Sequence, residues 1–428
     1  MKQFVSKIWN TPSVRNVGTL LSANILAQAI GLLVYPVLTR IYSPEDFGLL
    51  NLFLSIGGVL VILAGLEWYN AIVLPKSERE ARAVVHVSCF SLWAFTGLLI
   101  LTVPFSKPIA RIFDMPDLAS YYWMMPFFVL FVGFWNILNY WYIRTKQYKR
   151  ISGYQMSQSC FSAGYKMAFA WLPFSGGLIY ATLLSPLCSL LLSLKLVGAK
   201  ALRPLYAVEK PLCKEVAGKY ANFPKFSMPR SLLNSIVGQL PVLVLTPLFG
   251  PRLVGFWGMA LLLAFGPINT VSRALYQVFY QKTAESVNAH QPIGSFYRKY
   301  TLYTLYIIIP AFTVLGVFLP PITSWLLGEE WRIVGEYIRW MLPWLVFSLL
   351  SASTGYLTDI FFKQKAGLYF EILLAVSRVI GVGLGVIMNS FEIAIAGYAI
   401  GSAVVNAMQY VWYLSLVRRY DKSLQEAH

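Results

Sequence analysis

Gly48–Arg82 reads GLLNLFLSIGGVLVILAGLEWYNAIVLPKSEREAR. It is an apolar run over 48–74, broken by one ionised residue, Glu67, and followed at once by Lys76, Arg79 and Arg82. Roughly 20 apolar residues in a helix cross the ~30 Å hydrocarbon core of a bilayer, so the stretch predicts a membrane span with a basic flank. Eleven further runs have the same character: 17–39, 83–105, 118–143, 153–172, 174–196, 223–249, 253–277, 299–327, 334–360, 366–388 and 391–417. The gaps between them alternate in charge. Of 35 Lys and Arg residues, 25 lie in the two tails and in or at the edges of the even-numbered gaps, whereas the odd-numbered gaps hold only Arg40, Lys107, Arg111, Arg252 and Arg332. Cationic loops face the cytoplasm. The expectation is an all-α polytopic membrane protein of about twelve transmembrane helices, in a bacterial inner membrane, with both termini cytoplasmic.

Composition agrees. At 57% hydrophobic and 12% charged, with a mean hydropathy of +0.60, the chain lies far from soluble domains. The net charge of +17 would suggest nucleic acid in a soluble protein, but here it is concentrated in short loops, where it orients helices and meets anionic lipid. Nucleic acid is therefore excluded as a partner. The basic, polar Met1–Gly18 and the absence of a small-x-small site after the first run imply that this run stays as helix 1. Cys89, Cys160 and Cys188 fall in predicted helices and Cys213 in a loop, with no C-x-x-C pair, and His86, His290 and His428 have no spaced partner. Neither a disulfide framework nor a metal site follows. No phosphate-binding G-x-x-x-x-G-K-[ST] loop, H-E-x-x-H or G-x-S-x-G occurs. An enzyme is the weaker class, and no cofactor is expected.

The longest polar stretch, 197–221, divides the chain into residues 1–212 and 213–428, each with six runs. The halves echo each other. Asn24 and Gln28 in helix 1 precede Pro44-x-x-x-Gly48, and Asn234 and Gln239 in helix 7 precede Pro251-x-x-x-Gly255; Lys146-Gln147 and Lys363-Gln364 stand before helices 5 and 11. Six helices followed by six in the same orientation is the parallel-repeat plan of many transporters, with the site between the halves. Prolines within helices, among them Pro36, Pro241, Pro267 and Pro343, mark bends that serve packing or flexing.

Charges inside the runs carry the functional signal, because an isolated ionised side chain near the bilayer centre is costly and normally faces the bundle interior or an aqueous cavity. Lys166, Arg230 and Arg378 are the hardest to place at an interface; Arg273, Arg339, Asp359 and Glu371 lie near enough to helix ends to snorkel. Glu67 reads either as the partner of one of these cations or as a proton-coupling group. The amides Asn24, Gln28 and Asn234 bridge helices or meet sugar hydroxyls. A surplus of fixed cations in low dielectric favours an anionic passenger, and arginine grips phosphate oxygens in a bidentate fork.

Several ordered motifs carry a resemblance. Leu38-Thr39-Arg40-Ile41-Tyr42-Ser43-Pro44-Glu45-Asp46-Phe47-Gly48 resembles the segment after helix 1 of Wzx-like oligosaccharide flippases, the polysaccharide transporter branch of the multidrug/oligosaccharidyl-lipid/polysaccharide exporter superfamily. Leu66–Ser77 is similar to that family's helix 2 ending, with Glu67 where arginine is usual and Asn70 where an acid is usual. Arg144–Ser152, Phe223–Ser227, Gly250–Gly255, Gly328–Trp331 and Trp340–Trp344 continue the series. The resemblance implies the MATE-like exporter fold, two six-helix lobes in a V around a central cavity. It implies translocation of undecaprenyl-diphosphate-linked oligosaccharide repeat units to the periplasmic leaflet by alternating access, for O-antigen, capsule or exopolysaccharide synthesis. Membrane lipids, a polysaccharide polymerase and a chain-length regulator are the implied neighbours. Helices 1, 2, 7 and 8 line the cavity in that fold, which adds weight to Asn24, Glu67, Arg230 and Arg273. The expected cavity set is thus Asn24, Gln28, Glu67, Lys166, Arg230, Asn234, Arg273 and Arg378. The rivals are a drug/cation antiporter of the same superfamily, a lipid II flippase, which usually has two more helices, and a membrane-embedded glycan polymerase or ligase.

Overall fold

The computed structural model describes residues 26, 28–171, 176–197 and 210–426. Each of the twelve apolar runs corresponds to a helix, and no strand occurs among the described residues. The helices are α1 (Gln28–Leu38), α2 (Pro44–Gly65), α3 (Glu78–Ile100), α4 (Met125–Arg144), α5 (Tyr148–Ala170) and α6 (Gly177–Val197). They continue with α7 (Phe223–Gly238 and Leu240–Phe249), α8 (Pro251–Asn288), α9 (Gly294–Leu327), α10 (Arg332–Thr354), α11 (Gln364–Ile387) and α12 (Phe391–Glu426). Among the described residues nine helices are long and apolar enough to cross a membrane, ten when the bent α7 counts as one span. The other two runs fall short for separate reasons. Of the first run the structure describes position 26 and Gln28 onward, so α1 is short. α5 has 23 residues but carries Ser152, Gln155, Ser157, Gln158, Ser159, Ser162 and Lys166, which make it too polar.

Local chemistry sets the helix ends. Ser43 caps α2: its hydroxyl accepts from the Asp46 amide at 3.2 Å, and the Asp46 carboxylate accepts from the Ser43 amide at 2.9 Å. With Pro44 at the first helical position and Glu45 and Asp46 in the first turn, this is a capping box on the positive end of the helix dipole. α2 stops where Leu66 and Glu67 turn left-handed, at φ 45° and 60°. A single 3-10 stretch, Trp68–Val73, then completes the run. α7 bends by 42° at Gln239. The residue two on is Pro241, whose ring has no N–H to offer the carbonyl four residues back.

Contacts cluster the chain into two compact units, Met1–Gly255 and Phe256–His428. In the first, α2 is central and packs on α3, α4, α6 and both halves of α7; α5 pairs with α6, and a short helix, Lys210–Lys219, lies against α3. α7, which the sequence repeat assigns to the C-terminal half, therefore clusters with α2 rather than with α9–α12. In the second, α12 is the hub for α9, α10 and α11. One end of this unit is a buried aromatic cluster built on Phe279, Tyr297, Tyr356, Tyr410 and Tyr413. There the hydroxyls of Thr283, Tyr297 and Tyr356 bond one another and Tyr410 bonds Thr301, so the rings are buried with their polar ends satisfied.

α11 and α12 meet through small residues at helical spacing. A Cβ on Gly381 would lie 2.4 Å from the Gly397 carbonyl carbon, and one on Gly385 would lie 2.3 Å from Ala394. This is the small-x-x-x-small packing that lets spans associate by backbone contact when lipid removes the hydrophobic drive. Gly381→Leu should force the pair apart and cost at least about 1–3 kcal/mol. The thermal midpoint in detergent reads this directly, with Gly383→Leu as the control, since a Cβ there meets nothing within 4 Å.

Candidate functional site

The expected cavity residues divide between the units: Gln28, Glu67, Lys166, Arg230 and Asn234 in the first, Arg273 and Arg378 in the second. Asn24 lies outside the described residues. Arg230, Asn234 and Arg273 are exposed on their helices, and Gln28 is half-buried. Lys166 and Glu67 do not meet. Lys166 is on α5 beside α1, and Glu67 is at the C-terminal end of α2.

Glu67 is buried, and its partners are neutral. The Tyr69 hydroxyl donates to Oε1 at 2.8 Å, and the Asn70 amide donates to Oε2. Tyr69 in turn packs on Tyr140 of α4, with ring centres 5.3 Å apart. No Lys or Arg among the described residues lies within ion-pairing distance of this carboxylate. The left-handed turn at Leu66–Glu67 brings Tyr69 and Asn70 onto it, so it is satisfied by its own segment.

The basic residue in this corner is Arg144, and it serves the backbone. Its guanidinium donates to the carbonyls of Ile72 at 3.2 Å and Val73 at 3.4 Å, where the 3-10 stretch ends, and to that of Ser77 at 3.4 Å, where α3 begins. Arg339 acts likewise. Pro320 in α9 cannot donate to the Gly316 carbonyl, and Arg339 Nε takes that carbonyl at 2.7 Å. These two arginines thereby separate from the cavity candidates on physical grounds.

Lys166 and Arg378 have no carboxylate within ion-pairing distance among the described residues. The Lys166 ammonium lies 5.4 Å from the centre of the Tyr35 ring of α1, on the polar helix α5. Arg378 of α11 is half-buried between α10 and α12. Its guanidinium stands 4.8 Å from the Tyr398 ring centre and 5.5 Å from that of Trp344, and Nε donates to the Ser402 hydroxyl at 2.9 Å. Aromatic faces stabilise a cation by about 0.5–2 kcal/mol and leave its charge un-neutralised. The aromatic supports Tyr35, Trp344 and Tyr398, with Ser402, were not identified from sequence. Their helical spacing looks like ordinary core, and only the packing register of three helices reveals the cation between them.

Lys219 of the short helix donates to Glu80 of α3 at 2.5 Å, and Tyr220 donates to the same carboxylate at 3.0 Å. The hydrogen bond to Glu80 holds the Lys219 ammonium above its ordinary pKa. A groove of about 790 Å³ between α10 and α12, lined by Pro343, Phe347, Val404 and Met408 among others, is almost wholly apolar and holds none of the expected cavity residues. No group of three or more His, Cys, Asp or Glu side chains suited to a metal ion occurs among the described residues.

Nine helices long and apolar enough to cross a membrane among the described residues, or ten with the bent α7, make this a multi-pass membrane protein. Residues 37–335 match the family model described as polysaccharide biosynthesis protein, and the chain belongs to that family. It is 22% identical over 419 residues, covering 96% of this chain and 81% of the relative, to the succinoglycan biosynthesis transport protein ExoT of Rhizobium meliloti (strain 1021). Among solved structures it is similar to an inward-facing multidrug resistance MATE family transporter of the MOP superfamily, with a TM-score of 0.69 and 15% identity over 94% of this chain and 98% of that one. It is also similar to a MOP superfamily transporter from Pyrococcus furiosus whose binding pocket is described as of reverse polarity, with a TM-score of 0.56 and 15% identity over 96% and 95% of the two chains. The fold is that of the MOP transporters.

The Glu67 arrangement has a direct test. Glu67→Ala removes the acceptor of both the Tyr69 hydroxyl and the Asn70 amide and should cost about 1–3 kcal/mol, read as a lower thermal midpoint in detergent. Glu67→Gln keeps one acceptor oxygen and should cost less; equal losses would contradict the hydrogen-bond assignment.

Proposed function

We propose that this protein is a flippase that carries undecaprenyl-diphosphate-linked oligosaccharide repeat units from the cytoplasmic to the periplasmic leaflet of a bacterial inner membrane, by alternating access of two six-helix lobes, residues 1–212 and 213–428. The observation that carries the reading is Arg378, a cation within a span that is held by two aromatic faces and a serine hydroxyl and neutralised by no described carboxylate. Lys166 repeats the arrangement on the polar helix α5. Cations held in low dielectric without counter-ions attract an anion, and a diphosphate linkage offers paired oxygens that a guanidinium grips at two points. The family and the named role of the Rhizobium relative in succinoglycan transport make a lipid-linked saccharide the natural anion. Gln28, Asn234 and the first-run Asn24 would meet sugar hydroxyls, with Glu67, Arg230 and Arg273 completing the lining.

In this scheme the headgroup crosses through the cavity while the polyprenyl tail stays in lipid. No bond is made or broken, so the protein acts as a carrier and not as an enzyme. The cationic gaps support a cytoplasmic location for both termini.

Deletion in the source strain, followed with radiolabelled precursor, should leave lipid-linked repeat units in the cytoplasmic leaflet and remove surface polysaccharide; normal surface glycan would refute the proposal. Arg378→Gln should lower transport by about tenfold or more, the equivalent of one charge-assisted hydrogen bond, with insertion unchanged. Charge reversal at Arg378 should impair transport more than Lys219→Glu in the cytoplasmic connection, and equal effects would remove Arg378 from the transport path.

A further inference from the structure

The two Pro-x-x-x-Gly motifs, one opening α2 and the other opening α8, meet each other. A Cβ on Gly48 would fall 2.0 Å from the Pro251 carbonyl oxygen, and a Cβ on Gly255 would fall 2.0 Å from the Pro44 carbonyl oxygen. Each glycine rests on the other motif's proline, the reciprocal contact that two copies of one motif make about a local two-fold axis. Flanking contacts tie the same turns. Arg252 pairs with Glu45 at 3.5 Å, and the Asn51 amide donates to the Val254 carbonyl at 3.4 Å. Two turns further along α2, the Ser55 hydroxyl donates to Gln239 Oε1 at 2.9 Å, at the 42° break of α7.

We infer that this crossing is a separable seam that closes the outer mouth of the transport path and parts when the path opens to the periplasm. Three features favour a seam over a permanent joint. The glycines meet bare backbone at the first turns of two helices, so no side chain at positions 48 and 255 has to be withdrawn for it to open. Its side-chain ties are an exposed ion pair and single hydrogen bonds, which break and re-form readily in water. Its inner end is fastened at the bend of α7, a place where a helix can change angle with little loss of hydrogen bonding. The cation-poor gaps that hold Arg40 and Arg252 put it on the periplasmic side. Its purpose rests on the flippase reading, but its opening can be measured without any substrate.

The test uses the full chain with its four native cysteines replaced by serine, in right-side-out membrane vesicles. Asn51→Cys reports on the seam through its labelling rate by a membrane-impermeant maleimide. With Gly48 and Gly255 intact the labelling should be slow. With Gly48→Leu, or with the milder Glu45→Arg that sets two cations against each other, it should rise about tenfold, a one-decade shift toward the open form. Equal labelling in all three would overturn the inference. Joining Glu45→Cys to Arg252→Cys with a short bifunctional thiosulfonate should abolish transport of the lipid-linked precursor, and reductant should restore it. Transport at the unlinked rate after cross-linking would likewise overturn it. If the unlinked protein moves no such precursor, the flippase reading fails and the labelling arm still decides the seam.

Discussion

A backbone N–H or C=O left unpaired in hydrocarbon costs several kcal/mol, and much of this protein's architecture follows from meeting that demand. Regular helices meet it internally, which is why the described part of each apolar run is helical. Where the helix is interrupted, a side chain supplies the missing partner. Arg144 donates to three carbonyls between the end of the 3-10 stretch and the start of α3, and Arg339 donates to the carbonyl that Pro320 cannot reach. Arg339, which looks in sequence like a snorkelling charge, and Arg144, which looks like one more loop cation, are thus backbone caps. Their charge serves geometry, and their carbonyl partners partly offset the cost of placing a cation near lipid.

Lys166 and Arg378 have no such occupation, and the contrast makes them informative. Neither is tied to a carbonyl freed by proline or by a helix end; their neighbours are aromatic faces and, for Arg378, one hydroxyl. A ring face stabilises positive charge without cancelling it, so the field of the cation persists. Glu67 could have cancelled part of that field. Its two oxygens are instead taken by Tyr69 and Asn70 within its own turn. The acid is satisfied within its own segment and pairs with neither cation.

Much of this was legible in the sequence because lipid enforces a coarse rule: length and hydropathy specify a span whatever its partners. The helix ends were less legible. The run 253–277 becomes α8, which extends to Asn288, and the run 391–417 becomes α12, which extends to Glu426. Hydropathy ends at the membrane surface, whereas helical hydrogen bonding continues in water. Side-chain partnerships were hardly legible. Arg378 needs Trp344 of α10 and Tyr398 and Ser402 of α12 to arrive together, which depends on the close packing of α11 on α12 through Gly381 and Gly397. Glu67 finds its partners two and three residues away, yet only because Leu66 and Glu67 adopt a left-handed turn that nothing in their side chains requires.

The Pro-x-x-x-Gly echo shows how a weak sequence signal gains meaning from geometry. Proline and glycine gather in any short turn, so their repetition at equal spacing proves little by itself. Each residue type is nonetheless required for a separate reason. Proline at the first helical position gives up an amide that would have had no intrahelical partner. Glycine four residues later stands one turn along the same face, where the other helix's backbone arrives too close for any side chain. In a reciprocal contact each motif is both the surface and the socket, so changing one glycine disturbs half of the crossing and leaves the other half matched. An asymmetric joint would need only one small residue. Small residues in both copies of the motif are what such a reciprocal contact requires, so the sequence echo corresponds to a specific pair of backbone contacts.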